Sequence, residues 1–301
     1  MKLLTSIISF SLVCVASCEQ SKDSGSITKN QPELTSWSET DKAWSGAAEI
    51  SVYKLKQERY GKLIDGEAML IYVREPFLKD KQVKDESGRG DFQVLKLNAT
   101  REFKTGVYPY HILMSVFQPL ENSVDNKALK VTTSIQDWCG HVFIQTNRMD
   151  GYLKTDVRSY FENEDGKTFK EKEDVLLEDE IWTSLRLQPT ELPVGEVKIV
   201  PGSLASRFGR LKMVSTSAVT RWIEGESEDT VIYEVTYIDS GRTLAIEISI
   251  KSPYFIIGWK ETGRAGVLSS GKLKKRIDNI DYWNYSDEKK GIKLRKQLGL
   301  E

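Results

Sequence analysis

The chain has 301 residues, with 43 Lys and Arg against 44 Asp and Glu and a formal charge of −1. That balance gives no reason to expect nucleic acid or a broad anionic surface as a partner. The length allows one large domain or two small ones with a real core, and three cysteines and two histidines leave little material for disulfides or metal sites.

The first residues, MKLLTSIISFSLVCVASC, combine Lys2, an apolar stretch from Leu3 to Val15 and small residues just before Cys18. This is the anatomy of a secretory signal, and the stretch is too short to span a bilayer permanently. Val15-Ala16-Ser17-Cys18 resembles the bacterial lipobox. That resemblance implies loss of residues 1–17 and acylation of Cys18, palmitate being a usual acyl group. At about 0.8 kcal/mol per buried methylene, two or three such chains hold a protein on a membrane. Glu19 stands where inner-membrane retention would place an aspartate, so the expected address is the outer membrane, facing the periplasm or the exterior. Cys14 leaves with the signal and Cys18 is occupied by lipid, so no intramolecular disulfide is expected. Residues 18–36 are polar and Ser/Gly-rich, as a flexible tether is.

From residue 37 to 270 the dominant hydrophobic period is two, and we expect one large β-rich domain, with Tyr-rich hairpins hinting at two similar halves. In chain order, a hairpin is predicted in residues 47–75 with its turn near Tyr60-Gly61-Lys62, followed by strands at 92–98, 110–117, 129–135, 141–147 and 152–161. Residues 177–187 read as a short helix with acids at its N-terminal end, where the dipole favours them. A strand is predicted at 211–223. The clearest hairpin comes next: Val231, Tyr233, Val235 and Tyr237 alternate, Asp239-Ser240-Gly241 turns, and Leu244, Ile246, Ile248 and Ile250 alternate back. Residues 254–261 read as a further strand, and 271–301 as a basic tail or final short helix. The fold class is therefore mainly β: a large antiparallel curved sheet or half-barrel with one or two short helices, because a flat sheet cannot bury its apolar face alone.

The segments GEAMLIYVREPF, VLKLNATREFKTGVYPYHILMSVFQP, IQDWCGHVFIQTN, RSYFENEDG and EDEIWTSLRLQPTELPVGE resemble a family of uncharacterised lipoproteins from Bacteroidetes-type bacteria. Its members often carry the label septum formation inhibitor Maf. Maf pyrophosphatases open with a Ser-x-Ser-Pro-Arg-Arg-type segment on an α/β fold, and no such segment occurs here. More distantly, the Tyr-rich hairpins resemble periplasmic β-proteins related to lipoprotein-carrier half-barrels, which implies a concave sheet face open to apolar ligands.

Trp138-Cys139-Gly140-His141 is the densest chemistry in the chain. A thiol nucleophile needs a base in reach and a group to orient that base; Cys139 with His141 or His111, and Asp137 as orienter, are the candidates. A metal site would draw on Cys139, His141 and His111 with Asp137 or Glu102, yet no paired ligand spacing supports it, and no metal or cofactor is expected. The packing alternative puts Trp138 in the core, Cys139 beside it as a small buried hydrophobe, Gly140 at a bend and His141 on a backbone carbonyl. Residues 105–111 can end a strand at Pro109 or line a ligand mouth, which makes Tyr108 and Tyr110 ligand-binding candidates, and Trp138 is a third. The acidic residues from Glu162 to Glu180 lack calcium-loop spacing and read as a solvated loop. Lys272, Lys274, Lys275, Arg276, Lys289, Lys290, Lys293, Arg295 and Lys296 read as a solvated face or a surface for lipid head groups. Phosphate-loop, dinucleotide, nucleophile-elbow and zinc-protease patterns are absent from the sequence. The expected function is a membrane-anchored, non-enzymatic envelope lipoprotein that binds a lipid, another apolar ligand or an envelope partner. The alternative is a thiol-dependent hydrolase or transferase at Cys139.

Overall fold

A computed structural model describes residues 34, 47–88, 92–120, 127–262 and 266–300. The expectations for residues 1–17, for Cys18 and, apart from Leu34, for the tether lie outside them. Leu34 is half-buried against the core.

The described strands form one antiparallel sheet, drawn out as two meanders. The first runs through β1 (Ala48–Arg59), β2 (Lys62–Leu78), the short β3 (Val83–Lys84), β4 (Phe92–Thr105), β5 (Tyr108–Pro119), β6 (Lys130–Asp137), β7 (Gly140–Met149), β8 (Tyr152–Ser159) and β9 (Thr168–Lys172). The second begins with β10 (Leu176–Leu177), parallel to β11 (Gly195–Val200). It returns through β12 (Thr216–Glu224), β13 (Thr230–Tyr237), β14 (Thr243–Ser249), β15 (Ile256–Thr262) and β16 (Leu268–Ile280). β16 pairs with β1, so the first and last strands are neighbours in the middle of the sheet and β9 and β10 form its two ends. Those ends are joined through Glu173, Asp174 and Val175 alone. Four Cα steps reach at most about 15 Å. The sheet is therefore curled until its ends face each other, without closing.

Alternation explains the curl. In β13 and β14 the residues Val231, Tyr233, Val235, Leu244, Ile246 and Ile248 are buried while their sequence neighbours are not. One face of a twisted sheet thereby turns inward. β1 differs: Tyr53 and Leu55 join the interior cluster, whereas Ile50 and Val52 pack outward beneath the C-terminal helix α3 (Glu288–Leu298), against its Leu294 and Leu298. A Cβ on Gly271 would lie 2.2 Å from the Trp259 ring, so glycine lets that indole cross β16.

The predicted hairpins stand; the strands expected at 92–98 and 110–117 run longer, and those expected at 152–161, 211–223 and 254–261 are shorter. The boundary expected at residue 270 does not hold. The basic run Lys272–Arg276 belongs to β16, because Leu273 packs against the core and the strand is needed to pair both β15 and β1. In the tail the α-helix is confined to 288–298, after one 3-10 turn at Tyr282–Tyr285.

The segment joining the meanders crosses the inside of the sheet. It holds one 3-10 turn (Glu178–Glu180), helix α1 (Ile181–Leu187) and a second such turn (Pro189–Glu191). Every residue of α1 is buried, so the helix predicted at 177–187 begins later and fills the concave face. Three buried ion pairs hold this crossover. Arg186 donates to both Glu49 oxygens at 2.8 and 2.7 Å, donates from Nε to the Pro253 carbonyl at 2.9 Å, and lies over the Tyr72 ring. Arg148 donates to Glu180, and Arg242 to Glu178 at 2.8 Å. The acidic residues Glu178, Asp179 and Glu180 are thus buried instead of solvated, which corrects the sequence expectation for this end of the run. Their partners come from strands remote in sequence, so no local pattern reveals them.

An unpaired buried charge costs far more than a paired one saves. Arg186→Ala is expected to lower unfolding stability by about 3–5 kcal/mol. A double exchange of Glu49 and Arg186 to methionine is expected to lose less than the single change. Denaturant unfolding of both variants checks this.

Candidate functional site at the rim

Antiparallel alternation brings the turns after β1, β4, β6 and β8 to one end of the sheet, together with helix α2 (Ser203–Gly209) in the connection from β11 to β12. This rim collects exposed aromatic groups: Tyr60 is 62% exposed, Trp138 69% and Tyr160 75%. Tyr108 leans on Trp138 with ring centres 6.3 Å apart, and Tyr110 stacks on Phe103 and meets Phe208 of α2 edge-on. Tyr60 Oη lies 3.0 Å from Tyr110 Oη and 3.4 Å from Tyr108 Oη, with the Arg59 guanidinium over its ring. Burial opposes ionisation of Tyr60, but hydrogen bonds from Tyr108 and Tyr110 and the charge of Arg59 hold its phenol below the usual tyrosine range.

The sequence-predicted residues fall into two groups here. Tyr108, Tyr110 and Trp138 are brought together. The thiol constellation is not. Trp138 and Cys139 form the two-residue turn between β6 and β7, and both are exposed, which overturns the buried packing expected for them. The turn is shaped by Asp137, whose Oδ1 accepts from the Cys139 and Gly140 N–H groups at 2.6 and 3.2 Å. Gly140 is required by close approach: a Cβ there would lie 2.7 Å from the Tyr160 ring. His141 Nε2 pairs with Ser134 Oγ at 2.7 Å, not with a backbone carbonyl, and His111 lies beside Glu102. Among the described residues no hydrogen bond joins Cys139 to either histidine, and no group of three His, Cys, Asp or Glu is placed to hold a metal.

Beneath α2 the rim opens into a cavity of about 260 Å³. One wall is apolar and comes from α2 and its exit: Leu204, Ala205, Phe208 and Leu211. The opposite wall is polar, made of Gln57, Glu58, Arg242, Glu261 and Ser269 at the strand ends. A smaller void of about 30 Å³ shares Leu204, Ala205 and Glu261 and reaches Arg101, Glu178 and Asp179. Sequence reasoning missed this site because α2 carries no amphipathic signal in seven residues and the polar wall is drawn from four elements.

Arg101 pairs with Glu261, and Arg242 bridges Glu178 and Glu261, so two cations and two carboxylates offset one another below the cavity. Burial works to raise the Glu261 carboxyl, but Arg101 and Arg242 hold it below the ordinary range. Asp179 is buried without a cationic partner of its own. Burial, reinforced by Glu178, pushes it up to about 7, although the Ser203 N–H donates to it at 2.9 Å.

No protein-family model and no curated protein matches the chain. Among solved structures, Aeromonas veronii immune modulator A aligns over 76% of this chain and 94% of its own, at 9% identity and a TM-score of 0.17. Similarity at that level carries no argument about fold or function. No helix among the described residues is long and apolar enough to cross a membrane.

Two outcomes follow from this geometry. Cys139 is expected to react readily with a water-soluble alkylating reagent in the folded protein. Its exchange for serine should change stability by no more than about 0.5 kcal/mol, as at other exposed sites, in a denaturant titration. Asp179 has a folded pKa raised above its unfolded value, so its contribution to stability is full below about pH 4 and is lost as pH rises through about 7. Asp179→Asn is expected to flatten the stability profile over that window and to be more stable at pH 8, by on the order of a few kcal/mol. Thermal unfolding across pH reads it.

Proposed function

We propose that the protein is a lipid-anchored envelope protein that binds an amphipathic small molecule, without chemistry, in the cavity beneath α2. The observation that carries this reading is the two-sided wall of that cavity. An apolar moiety fits against Leu204, Phe208 and Leu211, and a polar head against Gln57, Glu58 and Ser269. Gln57, Glu58 and Ser269 are themselves buried, so their polar atoms are held in fixed positions by the strands. Ligand sites commonly join apolar walls to a few placed polar groups in this way. The exposed aromatic rim supplies the approach, since Tyr and Trp rings accept both apolar and polar contacts. A wholly apolar ligand laid on the concave sheet has little support, because the buried α1 already occupies that face. The anchor itself rests on the lipobox resemblance at Cys18.

The competing reading is a thiol-dependent hydrolase or transferase at Cys139. Exposure of the thiol favours it, but the engagement of His141 with Ser134 does not.

Native mass spectrometry of the protein, purified gently from its own envelope fraction, tests the proposal. The wild type is expected to carry an added small-molecule mass. Ala205→Trp, which fills the cavity from α2, is expected to lose that mass while keeping its unfolding midpoint. A bare wild type, or an adduct unchanged in the variant, would sink the idea.

A further inference from the structure

We infer that the outward face of α3, with Trp283 and the basic outer side of β16, is a docking surface for an anionic lipid membrane. The inference rests on the reading of Cys18 as a lipid anchor.

Leu294 and Leu298 turn one side of α3 onto the sheet. At helical spacing the opposite side presents Lys289, Ile292, Lys293 and Lys296, all exposed, at i, i+3, i+4 and i+7. No ion pair among the described residues engages those three lysines. The helix's own acids stand at its start, where Asp287 accepts from the Lys290 N–H as N-cap. Lys272 and Lys275 extend the charge along the exposed side of β16, while Lys274 reaches Glu67 at 4.0 Å and the Gly299 carbonyl. Trp283 is 48% exposed and Ile292 41%, so apolar groups are interleaved with the cations. A lysine stripe with an isolated isoleucine and an indole suits the boundary between head groups and acyl chains.

The charge of the face names the occupant: exposed lysines outside any ion pair among the described residues, beside Ile292 and Trp283, complement anionic head groups over an apolar interior. The segment that would carry the anchor joins the fold at β1, whose first residue, Ala48, pairs with Ile280. Ile280 lies three positions before Trp283. The entry into β1 therefore lies at the end of the strands that bears Trp283 and the start of α3. The aromatic rim and the α2 cavity lie at the other end of the strands. Docked this way, the protein holds its ligand site away from the membrane that anchors it.

The test uses the full processed chain with Ile292→Cys, and native Cys139 at the rim serves as internal reference. The chain is mixed with vesicles of phosphatidylcholine alone or of equimolar phosphatidylcholine and phosphatidylglycerol, and alkylated with a water-soluble maleimide. The intact mass of the chain first reads whether Cys18 is acylated. With an acylated chain, we expect residue 292 to be protected severalfold on anionic vesicles only, with Cys139 equally reactive on both. The combined variant K289E/K293E/K296E should abolish that protection. Equal labelling of residue 292 on both vesicles overturns the inference and leaves the anchor standing. If Cys18 carries no acyl group, the anchor reading fails by itself, and the face is judged by flotation. Salt-sensitive binding to anionic vesicles, weakened on the order of a hundredfold by the triple change at about fivefold per lysine, supports it. Absence of such binding overturns it.

Discussion

The fold depends on charges brought inside the curled sheet. A curved sheet of this size has more interior than its own side chains fill, and the crossover from β9 to β11 occupies the remainder. A crossing segment carries polar backbone and, here, acidic side chains, which cannot be buried unpaired. Glu178, Glu180 and Arg186 meet Arg242, Arg148 and Glu49, which belong to the second meander, the first meander and the central strand. Each pair is individually poor evidence for net stability. Together they fix where the crossover lies, because every other placement leaves several ions buried without partners.

That constraint decides where a ligand can go. With α1 packed against Trp259 through Trp182, and Tyr72 donating to the Trp182 carbonyl at 2.9 Å, the concave face is a packed core. Free volume is left at the rim, where α2 bridges the mouth. Phe208 meets Tyr110, and Arg207 pairs with Glu164 at 3.1 Å in the loop after β8, while the far side of α2 faces Glu261 and Ser269 across the cavity. The site is therefore built from both meanders and exists only while the sheet stays curled. The same argument bears on the raised pKa of Asp179: it is buried, and the charges around the crossover balance without it, so its ionised form has no cation of its own.

The molecule has a polarity along its strands. The rim gathers hairpin turns, aromatic rings and the cavity; the opposite end gathers the chain's entry into β1, Trp283 and the start of α3. Under the proposed reading as a tethered binding protein, ligand access and membrane contact would not compete for one surface. α3 serves both ends of this logic. Leu294 and Leu298 cover Ile50 and Val52, without which the outward face of β1 would be an exposed apolar strand, and its other side is left polar and basic.

The sequence by itself determined the β class, the clearest hairpins and the placing of a short helix before Pro189. These are local matters: period-two alternation and turn residues report on neighbours two to four positions apart. It also marked Tyr108 and Tyr110 as site candidates from their position at a strand end, with Trp138 beside them as a further candidate. Only the tertiary structure decided that β16 pairs β1, that the acids at 178–180 are buried against arginines from other strands, and that Trp138 and Cys139 stand exposed. Strand pairing joins residues more than two hundred positions apart, as Ala48 and Ile280 are, and ion pairing reaches from Glu49 to Arg186. A single sequence carries no signal of which distant partner a strand or a charge will meet. A two-residue turn leaves no room beneath it for a buried indole, so the hairpin geometry, and not the hydrophobicity of Trp138, set its exposure.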